Sequence, residues 1–385
     1  MTETGVVLTG GGARAAYQVG VLRAISDMYP DWEHPFRVIV GTSAGAINAV
    51  ALAGGGGIFR HNVSRLERIW AELQVDQIYR SQTLDILRNM SSVARRLLAG
   101  SAQGLPMALL NNSPLRHLLA TEVDFAAVGQ AIRDNRLSAV GVNACGYSTG
   151  QNVCFFDARE GLASWTHGQR AGCRTTLELS HVMASSAIPT VFPPVLINRE
   201  YFGDGVTRQM AHVSPALRLG AERVLVIGVS ANHRHAPERP NKPGMPGFGQ
   251  IFAQVFNGMF LDTLDYDLER LRLVNQMVDL IPPQRLKAAN LELRPVRLLE
   301  ISPSEPFDAL ASQYLDGMPA VLRKLTGAQA GQGTPGASLA SYLLFDHRFC
   351  QALIKLGYQD AQRQSRQIED FFSDPAERKQ PAAVD

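Results

Sequence analysis

The chain has 385 residues, of which 45% are hydrophobic and 19% charged, and its formal net charge at pH 7 is +2. These values are typical of a globular protein and argue against a nucleic-acid partner, since no dense Lys/Arg tract is present either. The four cysteines, Cys145, Cys154, Cys173 and Cys350, have no Cys-x-x-Cys spacing. They predict buried reduced thiols rather than a disulfide framework or a zinc site.

The N-terminus has no basic stretch followed by an apolar core, so we expect no secretory signal. The uncharged run 38–59 is long enough to span a bilayer. It is rich in glycine and alanine, however, and a buried strand, a sharp turn and a helix explain it better. We therefore expect a cytoplasmic protein without a transmembrane helix, and leave peripheral contact with a membrane open.

Short β-branched runs alternate with helical patterns in the first part of the chain. The predicted strands are 6–8, 36–40, 138–144, 153–157 and 224–229. The predicted helices are 13–29, 43–53 and 60–73. This alternation predicts an α/β fold, with a parallel or mostly parallel sheet between helices on both faces.

Residues 80–110 combine many apolar residues with Arg80, Arg88, Arg95 and Arg96, which predicts a cationic amphipathic helix. Such a helix lies on an anionic membrane, covers an apolar cleft, or simply packs on the surface, and the sequence leaves these interpretations open. After it, the composition predicts a Pro/Gly-rich loop over 231–250, a helical region over 251–325, a low-complexity linker over 326–338, C-terminal helices over 339–373 and a disordered tail over 374–385.

The segment Gly41-Thr42-Ser43-Ala44-Gly45 lies between a predicted strand and a predicted helix. Gly-x-Ser-x-Gly in this position is typical of a strained turn that presents the serine hydroxyl at the end of a sheet. Gly41 and Gly45 meet a steric need, because strand and helix come close there. Ser43 is therefore a candidate nucleophile, which requires a base, oxyanion donors and a pocket.

A second glycine cluster, Gly10-Gly11-Gly12-Ala13-Arg14, follows the first predicted strand. Glycines let consecutive N–H groups point into one concavity, and the following helix adds its positive end, so the loop is a candidate oxyanion hole. A phosphate cradle for a nucleotide is the alternative, but the acidic residue expected after the next strand and the P-loop lysine are both missing. Arg14 either holds the loop through carbonyl groups or orients an anionic head group.

The base is either a histidine or an aspartate. His167, His181 and His212 lie in plausible regions for a Ser-His-Asp triad, but no motif marks any of them. Asp204 lies between two glycines after an aromatic strand end, where the ordinary interpretation is a tight Asp-Gly turn.

The glycine loop, the Gly-x-Ser-x-Gly elbow, and the segment 184–195 with the Asp204-Gly205 turn that follows it together resemble the patatin-like phospholipase family. All three motifs occur in the family's order, over residues 5–228. The resemblance implies a catalytic domain over 1–230 with a three-layer α/β/α fold and a mostly parallel central sheet, followed by a helical C-terminal extension. In that family the loop forms the oxyanion hole, the elbow supplies the nucleophile and the Asp-Gly turn supplies the base.

Carried to this chain, the resemblance implies Ser43 as nucleophile and Asp204 as its base, in a dyad without histidine. The implied oxyanion residues are Gly10, Gly11, Gly12 and Ala13, and the implied supporting residues are Arg14, Gly41, Gly45 and Gly205. The implied activity is hydrolysis of acyl esters in a phospholipid or lysophospholipid through an acyl-enzyme. It needs no metal or other cofactor, and the sequence contains no cluster of metal-ligand spacing.

Two positions depart from the family's pattern. Ala15 stands where the family has a glycine after the arginine, and Val206 is the third residue of the Asp-Gly motif. Alternatives from other classes therefore stay open: a non-catalytic membrane- or lipid-binding regulator on the same fold, and an acyl-CoA thioesterase or transacylase. The last 150 residues are open to a role in an acyl-chain groove, a homodimer contact or a membrane-docking surface.

Overall fold

The structure is a computed structural model. It describes residues 3–80, 91, 108–231, 245, 248–258, 263–291, 293–329 and 335–373. Most of the predicted cationic segment 80–110 and of the predicted loop 231–250 lies outside these residues, and so does the predicted tail 374–385.

Two strand–turn–helix units begin the chain. Their elements are β1 (Thr4–Leu8), a 3₁₀ turn (Gly12–Ala15), α1 (Ala16–Met28), β2 (Val38–Thr42), α2 (Ala44–Ala53) and α3 (Phe59–Ala71). β1 and β2 pair in parallel, with Leu8 beside Gly41. Because the carboxyl ends of parallel strands meet at one edge of a sheet, this pairing brings the glycine loop next to the serine elbow.

The described strands form one ten-stranded mixed sheet. The remaining strands are β3 (Ala139–Gly146), β4 (Asn152–Ala158), β5 (Trp165–His167), β6 (Arg170–Arg174), β7 (Val195–Ile197), β8 (Glu200–Asp204), β9 (Arg223–Ile227) and β10 (Arg297–Ile301). The order is β10-β9-β1-β2-β3-β4-β6-β5, and the β7–β8 hairpin joins it through β3. The first five strands of that order are mutually parallel, whereas β4 and β8 run antiparallel to β3. The β3–β8 pairing sets Asp204 opposite Ala144, at the edge where the elbow lies.

Alternate side chains of the central strands enter two apolar cores, one on each face of the sheet. Val6 and Leu8 point to the core under α1, α2 and α3, whereas Val7 and Val38 point to the opposite core. The predicted three-layer α/β/α fold with a mostly parallel sheet is therefore confirmed, and each strand predicted from the sequence is present, with its ends shifted by at most two residues.

The other described helices cover these faces and continue to Phe372. They are α4 (Val75–Ile78), α5 (Ser113–Glu122), α6 (Phe125–Arg133), α7 (Leu179–Ser185), α8 (Ser214–Arg218), α9 (Phe248–Asn257), α10 (Thr263–Asp279), α11 (Pro283–Ala288), α12 (Phe307–Ala311), α13 (Ala320–Thr326), α14 (Pro335–Leu343), α15 (His347–Arg363) and α16 (Ser365–Phe372). In the described ranges, no helix is both long and apolar enough to cross a membrane. The run 38–59 contains β2, the elbow and α2, as the sequence predicts.

The residues after 230 belong to the same sheet and core as the residues before it. β10 lies in the region 251–325, for which composition predicts helix, and it extends the sheet in parallel beside β9. Its five residues include Arg297 and Glu300 and it lies at the sheet edge, so no long apolar run marks it. α14 begins at Pro335, inside the predicted linker 326–338.

Helices α1 and α15 cross in direct backbone contact. A Cβ atom at Gly20 would overlap the carbonyl oxygen of Ile354, and one at Gly357 would overlap that of Tyr17. Both positions are buried. The N-terminal and C-terminal parts are thus packed at a distance that only glycine allows.

We expect Gly357→Ala to lower the free energy of unfolding by roughly 1–3 kcal/mol, because the added methyl forces the two helices apart. Chemical denaturation measures this. Gly56→Ala is the control, since a Cβ atom there meets nothing within 4 Å. Equal stability of Gly357→Ala and the unmodified protein would show that the crossing tolerates expansion.

Candidate active site

Ser43 occupies a strained turn between β2 and α2. Its backbone angles are φ 56° and ψ −129°, a conformation that residues other than glycine rarely adopt. A Cβ atom at Gly41 would overlap the carbonyl oxygen of Gly45, and one at Gly45 would overlap that of Leu8. The two glycines of the motif therefore allow the strand and helix to meet closely enough to form the elbow.

Hydrogen bonds from α7 and β3 support this strained backbone. The Ser43 N–H donates to the Ser185 Oγ (2.8 Å), and the Ser185 hydroxyl donates to the Asn143 carbonyl oxygen (2.6 Å). The Ser186 hydroxyl donates to the Ser43 carbonyl oxygen (3.4 Å). Neither serine was predicted to support the site, although the Ser185-Ser186 pair within the segment 184–195 is a signal that could have marked them.

The Ser43 hydroxyl donates a hydrogen bond of 2.5 Å to Asp204 Oδ2. Both side chains are buried, with relative exposures of 2% and 0%. The other carboxylate oxygen, Oδ1, accepts from the Val206 N–H (3.0 Å). A Cβ atom at Gly205 would overlap the Asn143 carbonyl oxygen, so this position also requires glycine. The structure therefore brings together the two residues that the sequence analysis paired.

Burial raises the pKa of Asp204 to about 7, and the hydrogen bonds from Ser43 and from the Val206 N–H lower it in part. The cause is loss of solvation, which disfavours the charged carboxylate. A carboxylate with a pKa near neutrality is a far better proton acceptor than an ordinary aspartate. Asp204 is thus suited to exchange a proton with the serine hydroxyl to which it is bonded.

The glycine loop lies directly against Ser43. A Cβ atom at Gly10 would lie 3.0 Å from the Ser43 Cβ. The backbone N–H groups of residues 10–13 are buried, and none of the described residues accepts a hydrogen bond from them. Buried N–H groups without a partner are rare in proteins, so these donors are available to a ligand next to Ser43.

A mostly apolar cavity of about 50 Å³ is lined by both Ser43 and Gly12. Its walls include Ile47, Leu66, Trp70, Leu115, Phe192 and Phe345. A single water needs roughly 10–15 Å³ by this measure, so the cavity holds only a few small groups. A longer apolar ligand enters only when side chains of its walls move.

A buried chain of amide side chains links the glycine loop to the cavity wall. Gln18 Nε2 donates to the Thr9 carbonyl oxygen (2.8 Å), and Asn48 Nδ2 donates to Gln18 Oε1 (2.9 Å). The Trp70 indole N–H donates to Asn48 Oδ1 (2.7 Å). The loop, the helix behind the elbow and one wall of the cavity are thereby fixed relative to one another.

Arg14 turns its guanidinium to α14 instead of to the cavity. It is buried, and its nearest partner is the Ser341 hydroxyl, at 2.7 Å from Nε. Burial lowers the pKa of the guanidinium, an effect that the Tyr342 hydroxyl and Asp308 partly offset. The sequence left two roles open for Arg14. The geometry favours the role of holding the loop, although the groups that bind the guanidinium lie on α14.

Two of the three candidate histidines have other partners, and the third is exposed. His181 Nδ1 accepts from the Glu178 N–H (3.0 Å) at the start of α7. His212 Nε2 lies 3.0 Å from the Thr263 Oγ1, and burial lowers the pKa of its imidazole to about 4. His167 is exposed on the edge strand β5.

Curated sequences give no significant match. Among solved structures, human GIVD cytosolic phospholipase A2 in complex with methyl gamma-linolenyl fluorophosphonate is 13% identical, with a TM-score of 0.45, over 96% of this chain and 58% of that chain. VipD from Legionella pneumophila is 12% identical, with a TM-score of 0.35, over 94% of this chain and 66% of that chain. The chain thus spans about three fifths of the length of the human enzyme.

The sequence model of one family, described as patatin-like phospholipase, matches residues 6–217. This stretch is more than half of the chain, and it contains the glycine loop, the elbow and the Asp-Gly turn. The chain belongs to the patatin-like phospholipase family.

Proposed function

We propose that this chain is a serine acyl hydrolase that cleaves fatty-acyl esters of phospholipids or lysophospholipids. Ser43 is the nucleophile, Asp204 is the base, and the N–H groups of residues 10–13 bind the oxyanion. The observation that carries the proposal is the buried 2.5 Å hydrogen bond between the Ser43 hydroxyl and Asp204 Oδ2. The three histidines take no part.

In the first half-reaction, Ser43 Oγ attacks the carbonyl carbon of the ester while its proton moves to Asp204. The carbonyl oxygen becomes an oxyanion, which the N–H groups of the glycine loop stabilise. The tetrahedral intermediate then breaks the bond to the alcohol oxygen, and the proton on Asp204 passes to that oxygen. The products are the free alcohol, here a lysophospholipid or a glycerophospho compound, and an acyl ester on Ser43.

In the second half-reaction, water attacks the acyl-enzyme and transfers a proton to Asp204. The bond to Ser43 Oγ breaks, Asp204 returns the proton to Ser43, and a fatty acid leaves. The same carboxylate therefore serves as base and then as acid in each half, a role for which a pKa near the working pH is best.

The lining of the cavity supports the proposal of an acyl substrate. This lining is almost entirely apolar, and the cavity begins at Ser43. Burying the apolar surface of an acyl chain lowers the free energy of the complex. This offsets the cost of moving the side chains that now fill the space. The proposal includes contact with a membrane, because a membrane would supply such substrates. It also includes the predicted cationic segment 80–110.

We expect Ser43→Ala to abolish hydrolysis of phosphatidylcholine and p-nitrophenyl butyrate, and Asp204→Asn to lower kcat by at least about 100-fold, because each removes a step of proton or acyl transfer. Release of fatty acid and of nitrophenol measures this. His167→Ala is the matched control and keeps its activity. Unchanged turnover in Ser43→Ala would refute the proposed nucleophile.

Stability measured as a function of pH checks that the Asp204→Asn variant folds. Between about pH 4 and 7 the native state keeps a proton on Asp204 that the unfolded chain has released, so this residue makes the native state less stable as pH rises. We therefore expect Asp204→Asn to gain stability relative to the unmodified protein as pH rises from 4 to 8. His212 is present in both proteins, so its own titration cancels from the difference.

We expect the kcat/KM of the unmodified protein to fall as pH drops below about 7, since Asp204 must be ionised to accept the serine proton. Initial rates with p-nitrophenyl butyrate between pH 5 and 9 measure the midpoint. A midpoint near 4 would mean that Asp204 has an ordinary pKa and is not held in a desolvated site.

A further inference from the structure

The Arg14 side chain is anchored on a single helix that lies far away in the sequence. Besides the bond from Nε to the Ser341 hydroxyl, Nη1 donates to the Tyr342 hydroxyl (3.1 Å). Nη2 donates to the carbonyl oxygen and to the hydroxyl of Ser338 (3.1 Å each). All four hydrogen bonds therefore run to α14, which lies outside the family match at 6–217.

The guanidinium has little capacity left for another ligand. An arginine has five N–H donors, and the four hydrogen bonds to α14 occupy three of its nitrogen atoms. Its carbon atom lies 3.9 Å from the centroid of the Tyr342 ring, so one face of its plane is covered as well. Arg14 is 3% exposed. To bind this guanidinium, a phosphate of a lipid head group would have to displace its hydrogen bonds to α14.

The glycine loop rests on the same helix. Gly12 has φ +56°, and a Cβ atom there would overlap the carbonyl oxygen of Tyr342. The Arg14 N–H donates to the Gly11 carbonyl oxygen (3.1 Å), which ties the arginine to the loop through the backbone. The backbone contact and the side-chain contacts thus fix residues 11–14 to α14 together.

We propose that α14 sets the position of the oxyanion donors, through Arg14 and Tyr342 as positioning residues. This inference rests on the proposed function and extends it to a helix that the family match does not include. Catalysis depends on such positions steeply, because a shift of about 1 Å in a reacting group can cost 100-fold in rate. Arg14 accordingly acts on the rate of acyl transfer and not on recognition of the head group.

The partners of Arg14 keep hydrogen bonds when the guanidinium is removed. The Ser341 hydroxyl donates to the Ser338 carbonyl oxygen (2.6 Å), and the Tyr342 hydroxyl lies 3.4 Å from Asn257 Oδ1. A buried polar group that keeps another hydrogen bond does not bear the full cost of a lost partner. We therefore expect Arg14→Met to fold.

The test compares kinetics on three substrates: p-nitrophenyl butyrate, which has no head group, and vesicles of phosphatidylcholine or of phosphatidylglycerol. We expect Arg14→Met to lower kcat by about 100-fold and Tyr342→Phe by about 10-fold, by the same factor on all three, with KM nearly unchanged. Tyr79→Phe is the matched control. It removes another buried tyrosine hydroxyl bonded to α14, at the Leu343 carbonyl oxygen (2.9 Å), without touching Arg14.

A second readout does not depend on activity. Amide hydrogen exchange of the peptide that contains residues 10–13 should be faster in Tyr342→Phe than in Tyr79→Phe. A loss of activity confined to phosphatidylglycerol, with a raised KM, would overturn the inference in favour of head-group binding. Full activity and unchanged exchange in both Arg14→Met and Tyr342→Phe would also overturn it. Absence of Ser43-dependent hydrolysis in the unmodified protein would instead overturn the proposed function.

Discussion

The hydrogen bond between Ser43 and Asp204 is the contact to which the other features of this site are fitted. It joins residues 161 positions apart, and both side chains are buried. The close approach needs glycine at 41, 45 and 205, where any side chain would overlap a backbone carbonyl group. The same burial that makes the contact possible raises the pKa of Asp204 to about 7. The close packing around this contact and the proton affinity of Asp204 thus both come from its burial.

The sequence was sufficient to predict the fold class and the two residues of this contact. Short β-branched runs alternating with helical patterns predict the three-layer fold, which the structure confirms. Ser43 stands out through the Gly-x-Ser-x-Gly spacing, which is visible in the sequence. Asp204 by itself indicates only a tight Asp-Gly turn, and the resemblance to the patatin-like phospholipase family is what paired it with Ser43. Their roles in catalysis remain a proposal.

The supports of the site could not be predicted in the same way. Ser185 accepts a hydrogen bond from Ser43 and donates one to the Asn143 carbonyl oxygen, and these contacts leave no periodic pattern in the sequence. The pairing of Arg14 with α14 spans more than 320 positions. Low complexity in 326–338 predicts a linker, although this stretch includes residues 336–338, which are buried in α14. β10 is short and carries charged residues, and the sequence around it has a helical pattern. The strand was therefore not predicted. Contacts that depend on tertiary packing are the ones that local patterns omit.

Labelling with an alkyl fluorophosphonate, followed by peptide mapping, tests the central claim most directly, because phosphonylation requires an activated serine but no particular lipid. The account predicts one adduct, on Ser43, formed at least about 100-fold more slowly in Asp204→Asn. An adduct on another serine, or equal labelling rates in the two proteins, would contradict the Ser43–Asp204 dyad.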